Sequence, residues 1–349
     1  MAHITQSDIA KKLGVTRITV SKALRDHPDI SSEMKDKVKK TSEELGYIPN
    51  LVAKNMTAKK TFTLGVVIPD LENSFFAYAT NSIIDAASEK KYNVFITVSR
   101  ENQLNEANNI KNLIGMRVDG LLVCVSQESK NIKIFEEVKR LNIPLVFFDR
   151  RLDDLTSHSV VFADYFGAET AIDQIVAEGY TRIAYFGGYS NISIGRIRKE
   201  GYLYALEKNK LKIKNNWIIE GGYEVVDGYS AFMRLYSTKK IPEIIFAVND
   251  RVALGVYHAA NEVGINIPND IGLFAYGYSE IAQTFRPSLS LINQDPRMLG
   301  NIAVEVLMDR IQKENNFLER QILLKEEFVW NDSIKRKKIN KEIIKKEKT

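Results

Sequence analysis

Hydrolytic, redox or metal chemistry would show first in histidines, cysteines and paired carboxylates, and here none has the needed spacing. His3, His27, His158 and His258 are scattered, at no zinc-ligand interval from a cysteine or carboxylate. Cys124 is the single cysteine, and its place in the run LLVCV makes it a small buried hydrophobe. There is no GxSxG elbow, Walker loop or GxGxxG after a strand, and Gly187-Gly188 after RIAYF is a βα turn. No catalytic residue, metal site or cofactor is therefore expected. What remains is the chemistry of recognition. Arg17, Ile18 and Lys22 stand with Thr5, Thr16, Thr19 and Ser21 near the N-terminus. Phe75, Phe76, Asp149, Arg150, Arg198 and Tyr223 lie farther along, at the ends of apolar runs or in helix-length segments. A guanidinium fork bonds planar groups bidentately, and aromatic faces suit sugars or flat rings.

Charge says which partners to expect. The chain has 349 residues, enough for two or three domains, with 44% hydrophobic and 27% charged residues, the balance of a soluble globular protein. No apolar run approaches the ~20 residues that cross a bilayer, and MAHITQSDIAKK lacks the apolar core of a secretory signal. A cytoplasmic protein without a membrane partner is the expectation. Net charge is +5, but residues 1–60 alone carry +5, residues 331–349 another +5, and the middle −5. Two basic ends flanking an acidic middle suggest that the ends meet a polyanion.

Residues 5–45 read as three short helices. Thr5 with Asp8 caps the first, Gly14 stops it, Thr16 caps the second and Ser31 the third. Ile9, Ala10, Leu13, Val20, Ala23, Leu24, Met34, Val38 and Leu45 form their common core. This is a helix-turn-helix arrangement. The stretch YIPNLVAKNMTAKK, 47–60, has no core of its own and reads as a hinge ordered only on binding. From Thr61 apolar strand runs (TLGVVIP, YNVFITV, DGLLVCV, IPLVFFD, then HSVVFAD, RIAYFGG, EIIFAVN, IGLFAYG) alternate with amphipathic segments. Continuous apolar strands between helices imply parallel sheets covered on both faces, here two doubly wound lobes of four strands each with a ligand cleft between them. LSLINQD and ILLKEEFVW are expected to cross back between lobes. The expected divisions are a head at 1–46, a hinge at 47–60, a two-lobe core at 61–330 and a mobile basic tail at 331–349. The lobes are expected at 61–160 with 293–320, and at 161–292 with 321–330.

With these elements in order, the chain resembles the LacI/GalR family of transcription regulators over residues 3 to about 330. IAKKLGVTRITVSKAL, GYIPNLVAKNM, RKEGYLYAL and FAVNDRVALGV carry the resemblance. It implies an α-helical DNA-binding head plus an α/β two-lobe core like that of periplasmic binding proteins, acting as a homodimer on a near-palindromic double-stranded operator. Arg17, Ile18 and Lys22 match base-reading positions: Arg17 suits guanine O6 and N7, Ile18 a thymine methyl, and Lys22 can donate. Thr5, Thr16, Thr19 and Ser21 are placed for phosphates. In the hinge, Asn50, Val52, Ala53 and Met56 match minor-groove positions, with Met56 where the family usually wedges leucine between bases.

The resemblance further implies a small saccharide-derived effector between the lobes. Arg198 matches the family's ligand-binding arginine, the expected polar anchor, and Asn249 a second polar contact; Phe75 and Phe76 follow the first strand with Tyr223 opposite, and Asp149 and Arg150 end the fourth strand at the cleft. Two departures stand out: Gly277 replaces an aspartate common in sugar-binding members, and Ala163-Asp164 replaces a DN pair. Fewer carboxylates near Arg198 favour an acidic, phosphorylated or larger saccharide-derived ligand; the alternative is a bulky neutral oligosaccharide, with Asp149 or Asp164 supplying the missing acceptor. Ligand binding is expected to close the cleft and bias hinge folding. The other readings are a phosphosugar enzyme on a doubly wound fold, which steady DNA binding without turnover would exclude, and an effector-independent DNA-binding protein.

Overall fold

The computed structural model describes residues 4–48, 60–127, 129–130, 132–312 and 319–337. The chain divides into two compact units, Met1–Thr61 and Phe62–Thr349. In the first, α1 (Gln6–Leu13), α2 (Arg17–Leu24) and α3 (Ser32–Glu44) start at the expected caps. The Asp8 carboxylate accepts from the Thr5 amide at 2.8 Å and hydroxyl at 2.7 Å, and Gly14 closes α1 at φ 65°. Thr16 Oγ1 accepts from the Thr19 amide at 3.1 Å, and Ser31 Oγ from the Met34 amide at 3.3 Å. These bonds satisfy amides that a helix start leaves without partners. Ile9, Ala10, Val20, Ala23 and Val38 are buried together, with Leu13, Leu24, Met34 and Leu45 packed against them.

The second unit contains two six-stranded sheets. The first takes β1 (Thr63–Ile68), β2 (Asn93–Val98), β3 (Gly120–Val123), β4 (Leu145–Phe148), β5 (His158–Phe162) and β11 (Gln321–Leu324), in the order β11-β5-β4-β3-β1-β2. The second takes β6 (Ile183–Gly187), β7 (Ile218–Glu220), β8 (Ile244–Ala247), β9 (Gly272–Gly277), β10 (Ser290–Asn293) and β12 (Glu327–Val329), in the order β12-β10-β9-β8-β6-β7. All pairings are parallel except β10 with β12. Helices cover both faces, which is why the central strands are apolar throughout. On the first sheet α4 (Ser74–Glu89) and α12 (Pro296–Gln312) pack on one face, α5 (Gln103–Gly115) and α6 (Ile132–Arg140) on the other. On the second, α7 (Asp164–Ala177) and α8 (Ser193–Lys208) oppose α9 (Val225–Ser237) and α10 (Asp250–Glu262), and the short α11 (Ser279–Ala282) follows β9.

The strand allocation departs from expectation at three places. HSVVF, expected to begin the second lobe, is β5 and pairs in parallel with β4, Phe147 beside Ser159. ILLKEEFVW splits: Ile322 to Leu324 extend the first sheet beside β5, while Glu327 to Val329 join the second. LSLIN remains in the second sheet on β9, and only the following helix α12 returns to the first lobe. An apolar strand flanked by turns has no local signal naming its sheet, because that depends on remote partners. The described part of the tail, residues 331–337, also differs, while 338–349 lie outside the described residues. Ser333 and Ile334 are buried, and Ser333 Oγ donates to the Leu273 carbonyl at 2.5 Å. The Tyr180 hydroxyl donates to the Lys335 carbonyl at 2.9 Å, and the Lys337 ammonium meets Glu243 at 3.1 Å over the Tyr180 ring. Residues 331–337 are thus packed onto the second lobe by side-chain-to-backbone bonds that hydrophobic periodicity does not register.

Candidate functional site

Two sites take shape, one in each unit. In the head, the Thr16 cap starts α2 so that Arg17 and Ile18 occupy its first turn, both exposed; Ile18 is 70% exposed, apolar surface left uncovered on a small domain. Lys22, one turn on, donates to Asp29 at 2.7 Å, a partly exposed ion pair that water and salt weaken. The backbone candidates are already engaged locally. Thr16 and Thr19 hydroxyls share a 2.9 Å bond, the Thr5 hydroxyl donates to Asp8, and Ser21 Oγ accepts from Arg25 at 2.9 Å. The positive residues Arg17 and Lys22 lie on α2 and Arg25 caps its end, in a unit whose sequence is basic. Asn50, Val52, Ala53 and Met56 lie outside the described residues.

Between the lobes of the second unit is a cleft of about 630 Å³, and Phe75, Phe76, Asp149, Arg150, Arg198, Tyr223, Asn249 and Gly277 all line it. It opens at the carboxyl ends of strands, where β4 runs into Asp149-Arg150 and β9 into Gly277. Phe75 and Phe76 come from the first turn of α4, which Asn73 caps by accepting from the Phe75 amide at 3.0 Å. The Arg150 guanidinium lies 5.6 Å from the Phe76 ring centroid and 5.8 Å from that of Tyr223, bridging an aromatic wall of each lobe. Its NH1 donates to both Glu101 oxygens at 2.8 and 3.0 Å.

Arg198 is held on every side. Nε donates to Asp164 at 2.6 Å, NH1 to the Val248 carbonyl at 2.6 Å and NH2 to Gln294 at 2.9 Å, while the guanidinium stacks 3.9 Å from the Tyr276 ring centroid. Burial alone would push the Arg198 pKa down, but Asp164 beside it holds it above the ordinary value. Asn249 is equally committed: its Oδ1 caps α10 through the Val252 amide at 2.8 Å, and its Nδ2 donates to the Tyr223 carbonyl at 2.9 Å. It sets the second wall in place.

The charge expectation requires correction. Arg198 is not relieved of carboxylates, because Asp164, one residue beyond the substituted Ala163, sits directly on it. Nor is acid lost beside Gly277: a side chain there would begin 3.7 Å from an Asp250 carboxylate oxygen. Seven carboxylates and four arginines line the cleft. Arg150 is paired with Glu101, Arg198 with Asp164 and Arg251 with Glu224. Burial raises the carboxyl pKa of Asp149, despite Arg150, and of Asp250. It pushes the Tyr223 phenol to about 12. Cys124 is buried behind Asp149, its thiol 3.7 Å from Oδ2 and its pKa driven well up by burial. Sequence reasoning missed Asp250, Tyr276 and Gln294. Asp250 follows Asn249 in the motif already singled out, whereas Tyr276 and Gln294 carry no local signal.

Among the described residues no cluster of histidine, cysteine and carboxylates could hold a metal, and no helix is long and apolar enough to cross a membrane. Residues 5–50 match the model for bacterial regulatory proteins of the lacI family, and residues 61–328 that for periplasmic binding proteins and the sugar-binding domain of the LacI family. Catabolite control protein A of Priestia megaterium is 31% identical over 314 residues, spanning 89% of this chain and 94% of that protein. The probable transcriptional repressor ExuR of Bacillus subtilis is 29% identical, spanning 95% and 99%. The solved Lac repressor dimer bound to operator and the anti-inducer ONPF superposes with a TM-score of 0.87 at 25% identity, covering 95% of this chain and 99% of that one. The chain belongs to the LacI family of bacterial regulatory proteins: it is a DNA-binding transcription regulator with a small-molecule-binding core, and not an enzyme.

Proposed function

We propose that this regulator is a cytoplasmic homodimeric repressor whose grip on a near-palindromic operator is set by a neutral saccharide, larger than one hexose, bound between the lobes. The observation that carries the effector half is the cleft's lining: aromatic faces on both walls, and three of the four arginines, Arg150, Arg198 and Arg251, already paired with the protein's own carboxylates. A surplus of carboxylates repels an anion and leaves acceptors for sugar hydroxyls. The volume supports the size, since pockets of about 300–1,000 Å³ enclose ligands well beyond a single small ring. Arg198 is the anchor, with two N–H groups beyond those that it spends on the protein, and Phe76 and Tyr223 are the stacking faces.

For the DNA half, Arg17, Ile18 and Lys22 read bases in the major groove, Thr5, Thr16, Thr19 and Ser21 set register on phosphates, and Met56 of the hinge wedges the minor groove with Asn50, Val52 and Ala53 around it. The engaged hydroxyls of Thr16 and Thr19 favour contact through their exposed lone pairs or adjoining amides. Two heads and two hinges read the two half-sites, a reading supported by the likeness to the Lac repressor dimer bound to operator. Ligand shifts the population of lobe arrangements, and with it hinge folding, by its differential affinity for the two. Selection of fragments from a random DNA pool by the full chain, with and without neutral oligosaccharides, uronic acids and sugar phosphates, tests the proposal. A recurrent inverted repeat whose recovery changes with a neutral oligosaccharide is expected. Recovery without sequence preference would overturn the DNA reading, and a response to anionic sugars alone the effector reading.

A further inference from the structure

The chain passes between the lobes three times: from β5 into α7, from β10 into α12 and from β11 into β12. Each pass places one buried polar side chain at a common point, and these are Asp164, Gln294 and Glu326. Gln294 joins them. Its Nε2 donates to Asp164 Oδ1 at 3.0 Å and to Glu326 Oε1 at 2.5 Å, and its Oε1 accepts from Arg198 NH2 at 2.9 Å. The Tyr276 hydroxyl closes the set by donating to the Asp164 carbonyl. Space for Glu326 comes from Gly167 in α7, where a Cβ would lie 2.3 Å from Glu326 Oε2. That oxygen is buried and has no partner.

The charges do not balance if both acids are ionised, since one guanidinium then faces two carboxylates. The ionisable groups around Glu326 are Asp164 of α7, Arg198 of α8 and Tyr276 of β9; its chain neighbours Lys325 and Glu327 are exposed. An unpartnered ionised oxygen in such a place is costly, a neutral one much less so. Burial, then Asp164, drives the Glu326 pKa well above the usual carboxylate range.

We infer that Glu326 is a positioning residue for Arg198: held as a neutral carboxylic acid, it fixes Gln294, which orients the guanidinium, and so ties all three inter-lobe passes to the cleft. The inference rests on the proposed effector reading only for what Arg198 does, because the geometry needs no ligand. It makes the hinge between lobes and the anchor in the cleft one hydrogen-bonded unit, so that a ligand displacing Arg198 acts on every pass at once.

The test uses the full chain without effector, labelled in turn with 13Cδ-glutamate and 15N-arginine for NMR. The carboxyl signal removed by Glu326→Gln should have the chemical shift of a neutral acid at neutral pH, and a carboxylate shift would overturn the inference. The Arg198 Nε–H signal, identified by its loss in Arg198→Lys, should hold its position in Glu326→Gln. In Glu326→Ala it should move and exchange with solvent about tenfold faster. An Arg198 signal unmoved in Glu326→Ala contradicts a positioning role. Should Glu326→Ala fail to fold, the carboxyl shift and the Glu326→Gln spectrum decide alone. A chain that binds no sugar leaves these readouts untouched, so the two ideas fail separately.

Discussion

The head and the cleft solve recognition in opposite ways. In the head the proposed base readers are exposed and lightly tethered, with Arg17 and Ile18 in solvent and Lys22 on a single surface ion pair. In the cleft Arg150 and Arg198 are buried and bonded to Glu101 and Asp164, and half-buried Asn249 is bonded to backbone groups, before any ligand arrives. A polyanion brings its own field, so the head needs only reachable donors, and affinity comes from phosphates and released counterions. A small neutral ligand brings no such field. Its site must be preorganised, and each arginine must be neutralised to be buried at all.

The contrast is broken most severely at Arg198. Arg198→Ala leaves Asp164 and Gln294 buried without their partner and should cost the core about 3–5 kcal/mol, measurable by denaturant unfolding. A loss under ~0.5 kcal/mol, as for ordinary surface changes, would make the cleft as loosely built as the head. Arg17→Ala should do the reverse, leaving folding unchanged while reducing operator affinity by about 1–3 kcal/mol at one half-site position. Thr16→Ala, by contrast, should lose a helix cap and about 1 kcal/mol of head stability, weakening all DNA sequences alike. Equal loss on operator and random DNA for Arg17→Ala would remove it from base reading.

How much could be read beforehand follows the same division. Thr5-Asp8, Gly14, Thr16 and Ser31 announce the head helices because caps act within four residues, and the core residues fall at helical spacing. The eight strand runs from TLGVVIP to IGLFAYG all appear as strands; seven are buried, and a buried parallel strand is apolar whatever its neighbours, while β2 is an edge strand that leaves Phe95 exposed. Their sheet membership was not legible, as β5 and β11 show. In the cleft the lining was legible by motif, but the pairings that set its charge were not. Arg198 with Gln294, and Gln294 with Glu326, join residues 96 and 32 positions apart. Of the two replacement acceptors that the sequence offered for the missing carboxylate, Asp149 and Asp164, it is Asp164 that sits on Arg198.

Smaller effects sharpen the comparison further. If Met56 is the wedge proposed above, Met56→Ala should reduce operator affinity and DNA bending together with no change in melting; unchanged bending by fluorescence transfer would reject it. The Glu326 pKa is raised in the fold, so its contribution to stability is whole below the ordinary carboxylate range. It declines as pH rises toward the folded value, because the unfolded chain ionises first. Glu326→Gln should therefore melt higher than the parent by about 2 °C or more at neutral and alkaline pH, with the gap closing below about pH 4. A gap that widens in acid would reverse the sign and remove the neutral acid.

The most direct measurement is fluorescence anisotropy of the selected operator fragment bound by the full chain and titrated with each sugar class. A neutral oligosaccharide should shift operator affinity about tenfold or more, within the usual range of allosteric coupling, and Arg198→Lys should abolish the shift while leaving unliganded operator binding intact. A shift produced instead by a uronic acid or sugar phosphate, undiminished in Arg198→Lys, would contradict both the neutral cleft and its anchor.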